Sequence, residues 1–237
     1  MRKHYDFFTL CETPELACQI TLQPIDRYAG LLDASIIFSD ILVIPKAMGM
    51  KIQMVEAKGP TFDEPLVTPE DIAKLKEEVD VRKELGYVMD AITLTRRELK
   101  GRVPLLGFIG APWTLLAYMI EGGGSKTLTK AKSWLYKYPK ESKDLLQRIT
   151  DISIDFLSEQ IIAGAQVSHS QIIADGRWCK YLIHGPVSYR PRTLLHSLYR
   201  ISYKFQQSYI KSSKAKDITL RIQESRLWCL PKVRGTP

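Results

Sequence analysis

Apolar positions along the chain fall into two alternating kinds of run. Two short stretches, Asp33-Ala34-Ser35-Ile36-Ile37-Phe38-Ser39-Asp40 and Val103-Pro104-Leu105-Leu106-Gly107-Phe108-Ile109, are near-continuous apolar runs, the first ending in polar residues. Such runs predict parallel strands covered on both faces. The longer stretches between them carry one apolar stripe. Thr13-Pro14-Glu15 predicts a helix start, with threonine as the cap and proline at the first helical position, and the helix runs to about Arg27. Thr68-Pro69-Glu70-Asp71 repeats that start, a long helix is expected over about Arg82–Leu99, and Gly101 closes it. Alternation over Lys51–Lys58 predicts a second, peripheral strand. Pro112-Trp113 opens a further helix that breaks at Gly122-Gly123-Gly124, and helices follow at about Lys126–Tyr136 and Pro139–Ile162. Ala163-Gly164-Ala165-Gln166 leads into another buried strand. This order predicts an α/β domain with parallel strands, either an open sheet or a (β/α)8 barrel. A complete barrel commonly takes about 250 residues. The patterned segment, residues 1–166, is too short for a complete barrel, which leaves an open sheet or a partial (β/α)8 barrel, truncated after about half its strands.

The pattern stops after Gln166. Residues 1–166 hold 21 Lys+Arg against 23 Asp+Glu, whereas residues 167–237 hold 13 against 3, so the formal charge of +8 belongs to the second segment. That segment is rich in Ser, Tyr and Arg, and no helical or strand period is sustained. It is expected to be an unrelated basic tail, irregular and poorly ordered. The Tyr-interleaved basic stretch from Tyr199 to Lys216 has the composition of a nucleic-acid binder, but the lack of any patterned core makes nucleic acid the minor reading. Codons for Val167-Ser168 accommodate a eukaryotic splice-donor sequence, which predicts that the tail is translated intron.

Several classes are excluded. No run approaches the roughly 18–20 uncharged apolar residues of a membrane span, and the first residues lack the apolar core of a secretion signal. A cytoplasmic protein is expected. Cys11, Cys18, Cys179 and Cys229 form neither a CxxC pair nor a Cys/His ligand spacing, so neither zinc nor any other metal is expected and the thiols are read as reduced, with Cys11 and Cys18 in one helix.

Catalytic groups in both architectures sit at the carboxyl ends of the strands. That rule selects Ser39-Asp40 and the Gly110-Ala111-Pro112-Trp113 turn, with Tyr118 in the helix that follows. A carboxylate directly beyond an apolar strand stands in a partly dry pocket, where its charge acts more strongly than in water. Spacing alone reads Asp40 more simply as a residue ordering a turn, and Tyr118 as a core position. The triple glycine lacks P-loop spacing and reads as a helix-breaking turn. His4 is the only histidine of the first segment, which leaves no Ser-His or Cys-His nucleophile there.

Specific residues then match a known pattern. Asp6-Phe7-Phe8, Pro14-Glu15-Leu16-Ala17-Cys18, Thr21-Leu22-Gln23-Pro24, Ile36 to Val43, Leu85-Gly86-Tyr87-Val88 and Ala91 to Arg96 follow one another as in uroporphyrinogen decarboxylases. So do Gly110-Ala111-Pro112-Trp113-Thr114-Leu115, Tyr118-Met119, Glu121 to Ser125 and Ala163 to Gln166. Residues 4–166 resemble the eukaryotic form of that family. The resemblance implies a (β/α)8 barrel, a homodimer, and removal of acetate carboxyl groups from uroporphyrinogen III to give coproporphyrinogen III in haem biosynthesis, without metal, cofactor or prosthetic group. It implies that Asp40 accepts hydrogen bonds from pyrrole N–H groups and stabilises developing positive charge. It further implies that Tyr118 orients Asp40 or binds a substrate carboxylate, and that Phe7 and Ser39 line the cleft. The family's Arg-Gln-Ala-Gly-Arg loop and the Ser and His of its second half have no counterpart in this sequence. The stretch from Arg27 to Asp33 is a little longer than the family pattern. An incomplete form, weakly active or inactive, is expected. The alternative is a non-catalytic fragment that binds the full-length subunit, or nucleic acid through its tail.

Overall fold

A computed structural model describes residues 4–56, 59–174 and 177–183. The chain opens with a short helix, α1 (Phe7–Glu12), capped by Asp6, whose Oδ1 accepts from the N–H groups of Phe8 and Thr9 at 2.9 and 3.0 Å. Thr13 and Pro14 then start α2 (Pro14–Arg27). Cys11 and Cys18, expected in one helix, lie in two, because the Thr13-Pro14 step ends α1 and begins α2.

Strand β1 (Ser35–Ile36) pairs in parallel with β4 (Leu105–Gly110), Ser35 opposite Leu105. The parallel pairing agrees with the sequence expectation, but β1 is shorter than the stretch Ser35–Ser39. The reason is local. Ile37 still donates to the Leu106 carbonyl at 2.9 Å, whereas the Phe38 N–H turns to the Thr21 hydroxyl of α2, also at 2.9 Å. Thr21 in turn donates to the Ala17 carbonyl, and Ser35 donates to the Thr21 carbonyl. One side chain thus lifts the chain off the sheet just before Asp40.

Beyond Asp40 come α3 (Val43–Ala47) and a separate antiparallel hairpin, β2 (Ile52–Val55) with β3 (Gly59–Phe62), which places the expected peripheral strand. A 3-10 turn, Pro69–Lys74, carries a capping box between Thr68 and Asp71. The long helix α4 (Val81–Leu99) is kinked at Leu85 and ends through left-handed Lys100 and Gly101. After β4 follow α5 (Pro112–Glu121), α6 (Thr129–Lys137) and α7 (Pro139–Ile162). Gly122, at φ 84°, stops α5 as the triple glycine predicts.

The sheet continues with β5 (Val167–Ala174), parallel to β4, and β6 (Arg177–Ile183), antiparallel to β5, in the order β1-β4-β5-β6. β5 is the further strand expected to follow Ala163–Gln166, whereas β6 lies where an irregular tail was expected. Val167 finds a ready row of β4 peptide groups opposite Leu106, and β6 folds back on β5. From residue 184 onward the tail, with its basic Tyr-rich stretch, lies outside the described residues.

Alternation along the strands is half covered. Ile37, Leu105, Gly107 and Ile109 are buried beneath the helices; Phe38, Leu106 and Phe108 are half-buried, and Ile36 is 45% exposed. The runs expected to be covered on both faces are covered on one. Below the sheet, α5 is buried along Pro112–Ile120, and its Leu115, Leu116 and Met119 pack in one core with Phe156, Ile92 and Leu42. Residue burial of this kind stabilises by about 1.5–3 kcal/mol per large apolar side chain.

Two glycines set how closely the layers meet. A Cβ on Gly107 would stand 2.4 Å from Oε1 of Gln160, and one on Gly110 would stand 2.7 Å from Leu115 Cδ2 and 3.3 Å from the Ile41 carbonyl oxygen. Bare backbone at Gly107 admits the fully buried Gln160 of α7. Its Oε1 accepts from the Phe108 N–H at 2.9 Å and its Nε2 donates to the Phe108 carbonyl at 3.0 Å. Gln160→Leu keeps the volume and removes the two hydrogen bonds that the carboxamide makes to the Phe108 backbone. It is expected to cost about 2–4 kcal/mol, since each buried group left unpaired costs about 1–3 kcal/mol. Urea unfolding checks this through a lower midpoint at unchanged slope.

Candidate active site

The carboxyl end of β1 delivers Asp40 into the interior. Among the described residues it is the one buried carboxylate, with 5% of its surface exposed. Oδ1 accepts the Leu42 N–H at 3.2 Å, while Oδ2 finds no hydrogen-bond partner among the described residues. Burial pushes the Asp40 carboxyl above its ordinary range; the amides of Leu42 and Ile41 and the Lys46 ammonium pull it back, and Glu12 adds to the rise. A buried carboxylate with an open oxygen is costly by itself, so the fold holds a strong acceptor in reserve at this point.

The other sequence-selected residues gather around it. Ser39, half-buried, makes a long contact of 3.4 Å from its hydroxyl to the Asp40 carbonyl. Phe7 meets Phe38 edge-on at 6.0 Å between ring centroids, which brings α1 to the end of β1. Tyr118 is buried on α5; burial raises its phenol, and the Asp40 charge raises it further. Its hydroxyl borders the triple-glycine turn, where a Cβ on Gly124 would lie 4.0 Å away. Gly110 permits this gathering, since a side chain there would strike the Ile41 carbonyl that follows Asp40.

Three further groups share the field of Asp40, and the strand-end rule selected none of them. Cys11 of α1 is buried, and its thiol is pushed up to about 12, first by burial and then by Asp40. Tyr87 of α4 is raised by burial, then by Glu12 and Asp40. Lys46 of α3 pairs with Glu12 and favours the charged form of Asp40. Only tertiary packing of α1, α3 and α4 brings them together. What local sequence offered was the Leu85-Gly86-Tyr87 motif and the position of Lys46 in the segment beyond Asp40.

A cavity of about 480 Å³ lies at the opposite end of the sheet, lined by Ile25, Tyr28, Leu32, Asp33, Arg102 and Val103. It sits where β1 and β4 begin, so the strand-end rule favours the Asp40 end as the chemical one.

Residues 1–184 match a family model described as uroporphyrinogen decarboxylase (URO-D). The uroporphyrinogen decarboxylase of Schizosaccharomyces pombe is 60% identical over 167 residues, covering 70% of this chain and 46% of that protein. That of Danio rerio is 53% identical over 189 residues, covering 80% and 49%, and that of Homo sapiens 54% over 165 residues, covering 70% and 44%. The chain thus spans about half the length of the curated relatives it matches. In three dimensions a methyltransferase from Methanosarcina mazei shares the fold, with a TM-score of 0.54 at 23% identity over 66% of this chain and 45% of that one. With a buried carboxylate at the end of its first strand and a family match across most of its length, the chain belongs to the uroporphyrinogen decarboxylase family.

Proposed function

We propose that the chain supplies the Asp40-bearing part of a uroporphyrinogen decarboxylase site, within a partial (β/α)8 barrel whose opening strands are β1, β4 and β5. The reaction is loss of acetate carboxyl groups from uroporphyrinogen III, giving coproporphyrinogen III. One observation carries the reading: a buried carboxylate whose Oδ2 has no partner among the described residues, at the carboxyl end of β1. Pyrrole N–H groups are the donors that satisfy such an oxygen. Protonation of a pyrrole carbon makes the ring an electron sink. The bond to the acetate carboxylate then breaks, its electron pair passes into the ring, and carbon dioxide leaves; the exocyclic methylene so formed takes up a proton to become methyl, and the ring carbon gives its added proton back. Asp40 stabilises the positive charge that forms, and its dry surroundings enlarge that effect. Tyr118 orients Asp40 or bonds a substrate carboxylate, and Phe7 and Ser39 line the cleft. The division near Gln166 belongs to the same reading; the matches to the Schizosaccharomyces pombe and human relatives are 167 and 165 residues long, while the family model runs on to residue 184. So does a cytoplasmic location; no helix among the described residues is long and apolar enough to cross a membrane.

The half-open sheet face, with Ile36 45% exposed, favours a second reading in which the chain associates with another copy or with a complete family subunit.

Carbon dioxide release from uroporphyrinogen III by the 237-residue polypeptide, with uroporphyrin fluorescence as a binding assay, tests the first reading. Turnover is expected to be weak beside a full-length relative, and Asp40→Asn to weaken uroporphyrin binding by about tenfold or more, the loss of a charge-assisted hydrogen bond. Uroporphyrin binding unchanged in Asp40→Asn would refute it.

Asp40 also links function to stability. Its carboxyl is held above the ordinary 3.8 by burial, so the folded chain keeps the proton in a pH range where the unfolded chain has lost it. Stability therefore falls as pH rises from that ordinary value through the folded one, and the penalty is complete above it. Asp40→Asn is expected to melt higher than wild type at about pH 8, with the difference closing toward about pH 4. Thermal melts at the two pH values check the sign.

A further inference from the structure

Helix α1 is only six residues long, too short to hold itself in water. Its place depends on what it touches. On one side Leu10 and Cys11 are buried. On the other, Lys46 reaches across from α3 to pair with Glu12, the last residue of α1, and stands 5.2 Å from the centre of the Phe8 ring. Phe8 meets Phe7 edge-on at 5.5 Å, and Phe7 meets Phe38 at 6.0 Å, two residues before Asp40. A single cation therefore joins the helix that carries Phe7 to the helix that begins just after Asp40.

We propose that Lys46 is a positioning residue of the tetrapyrrole site: held between the Glu12 carboxylate and the Phe8 ring, it fixes α1 and Phe7 over the Asp40 end of β1. The ligand class rests on the decarboxylase reading above; the brace itself rests on the contacts of Lys46. Both partners of the ion pair are about 40% exposed, so the pair adds little to global stability. A short helix with few other anchors is where such small contacts decide local opening.

Cys11 reports that opening. It and Cys18 are equally buried, at 3% exposure, on α1 and α2. The test labels the native 237-residue chain with N-ethylmaleimide, maps the modified peptides, and measures uroporphyrin binding by fluorescence. Lys46→Met, which keeps the stem and removes the charge, is expected to speed Cys11 labelling by about tenfold and weaken uroporphyrin binding by about as much, the combined loss of an ion pair and a cation–π contact. Cys18 labelling and Tm should stay unchanged, and Lys46→Arg should restore both Cys11 protection and binding. Unchanged Cys11 labelling in Lys46→Met, or both cysteines rising together, overturns the proposal with the decarboxylase reading intact. If wild type binds uroporphyrin no more tightly than Asp40→Asn, the decarboxylase reading falls and Lys46 loses its role toward the ligand, whatever the labelling shows.

Discussion

Strand β4 has a strand on either side and helices beneath, so its peptide groups must find partners away from water. β1 meets it on one edge, β5 on the other, and the Gln160 carboxamide takes both polar groups of Phe108. That last bond joins α7 to the middle of the sheet. It is available only because Gly107 leaves room for it. From β4 outward the rest is placed: β1 by its register, α5 by the turn at Gly110, and the Asp40 loop by the contact of Ile41 with that same glycine.

The site is assembled against the grain of ordinary stability. Asp40, Tyr87, Tyr118 and Cys11 are all disfavoured in their charged forms by burial, and the Asp40 field raises the other three further. A structure selected for stability alone would place an apolar side chain at Asp40, because an unpaired buried acceptor is expensive. The cost is tolerated across a large apolar core that includes Phe156, Leu115 and Met119. A carboxylate kept buried, with one oxygen open, is pre-organised for a donor-rich ligand.

Much of this was legible in the residues themselves. Thr13-Pro14, Pro112-Trp113 and Pro139 mark helix starts because proline fixes the first turn, and those helices begin there. Asp40 followed from the strand-end rule and the family resemblance. The length of β1 did not, because its end is decided by a hydroxyl seventeen residues upstream of Phe38 rather than by its own composition. Nor did Gln160: a glutamine on a helix reads as polar surface until the facing glycine is known. Lys46, Glu12 and Cys11 belong to segments whose meeting is purely tertiary, and no local period announces it. Ala163–Gln166 announced a strand, which β4 pairs as far as Gln171, but no alternating period marked β6, which the return of the chain along β5 creates.

The Thr21 hydroxyl, which takes over the Phe38 amide where β1 leaves the sheet, has a bearing on how variation at this locus should be weighed. Valine is nearly the same size and just as tolerant of burial, so drift between the two looks harmless on any scale of hydrophobicity or volume. Here it deletes the acceptor that steers the chain toward Asp40, and the lesion would surface at a carboxylate nineteen positions away in sequence rather than at the helix that carries the change. Conservative appearance at position 21 is a poor guide to consequence, because what the site inherits from that residue is a direction.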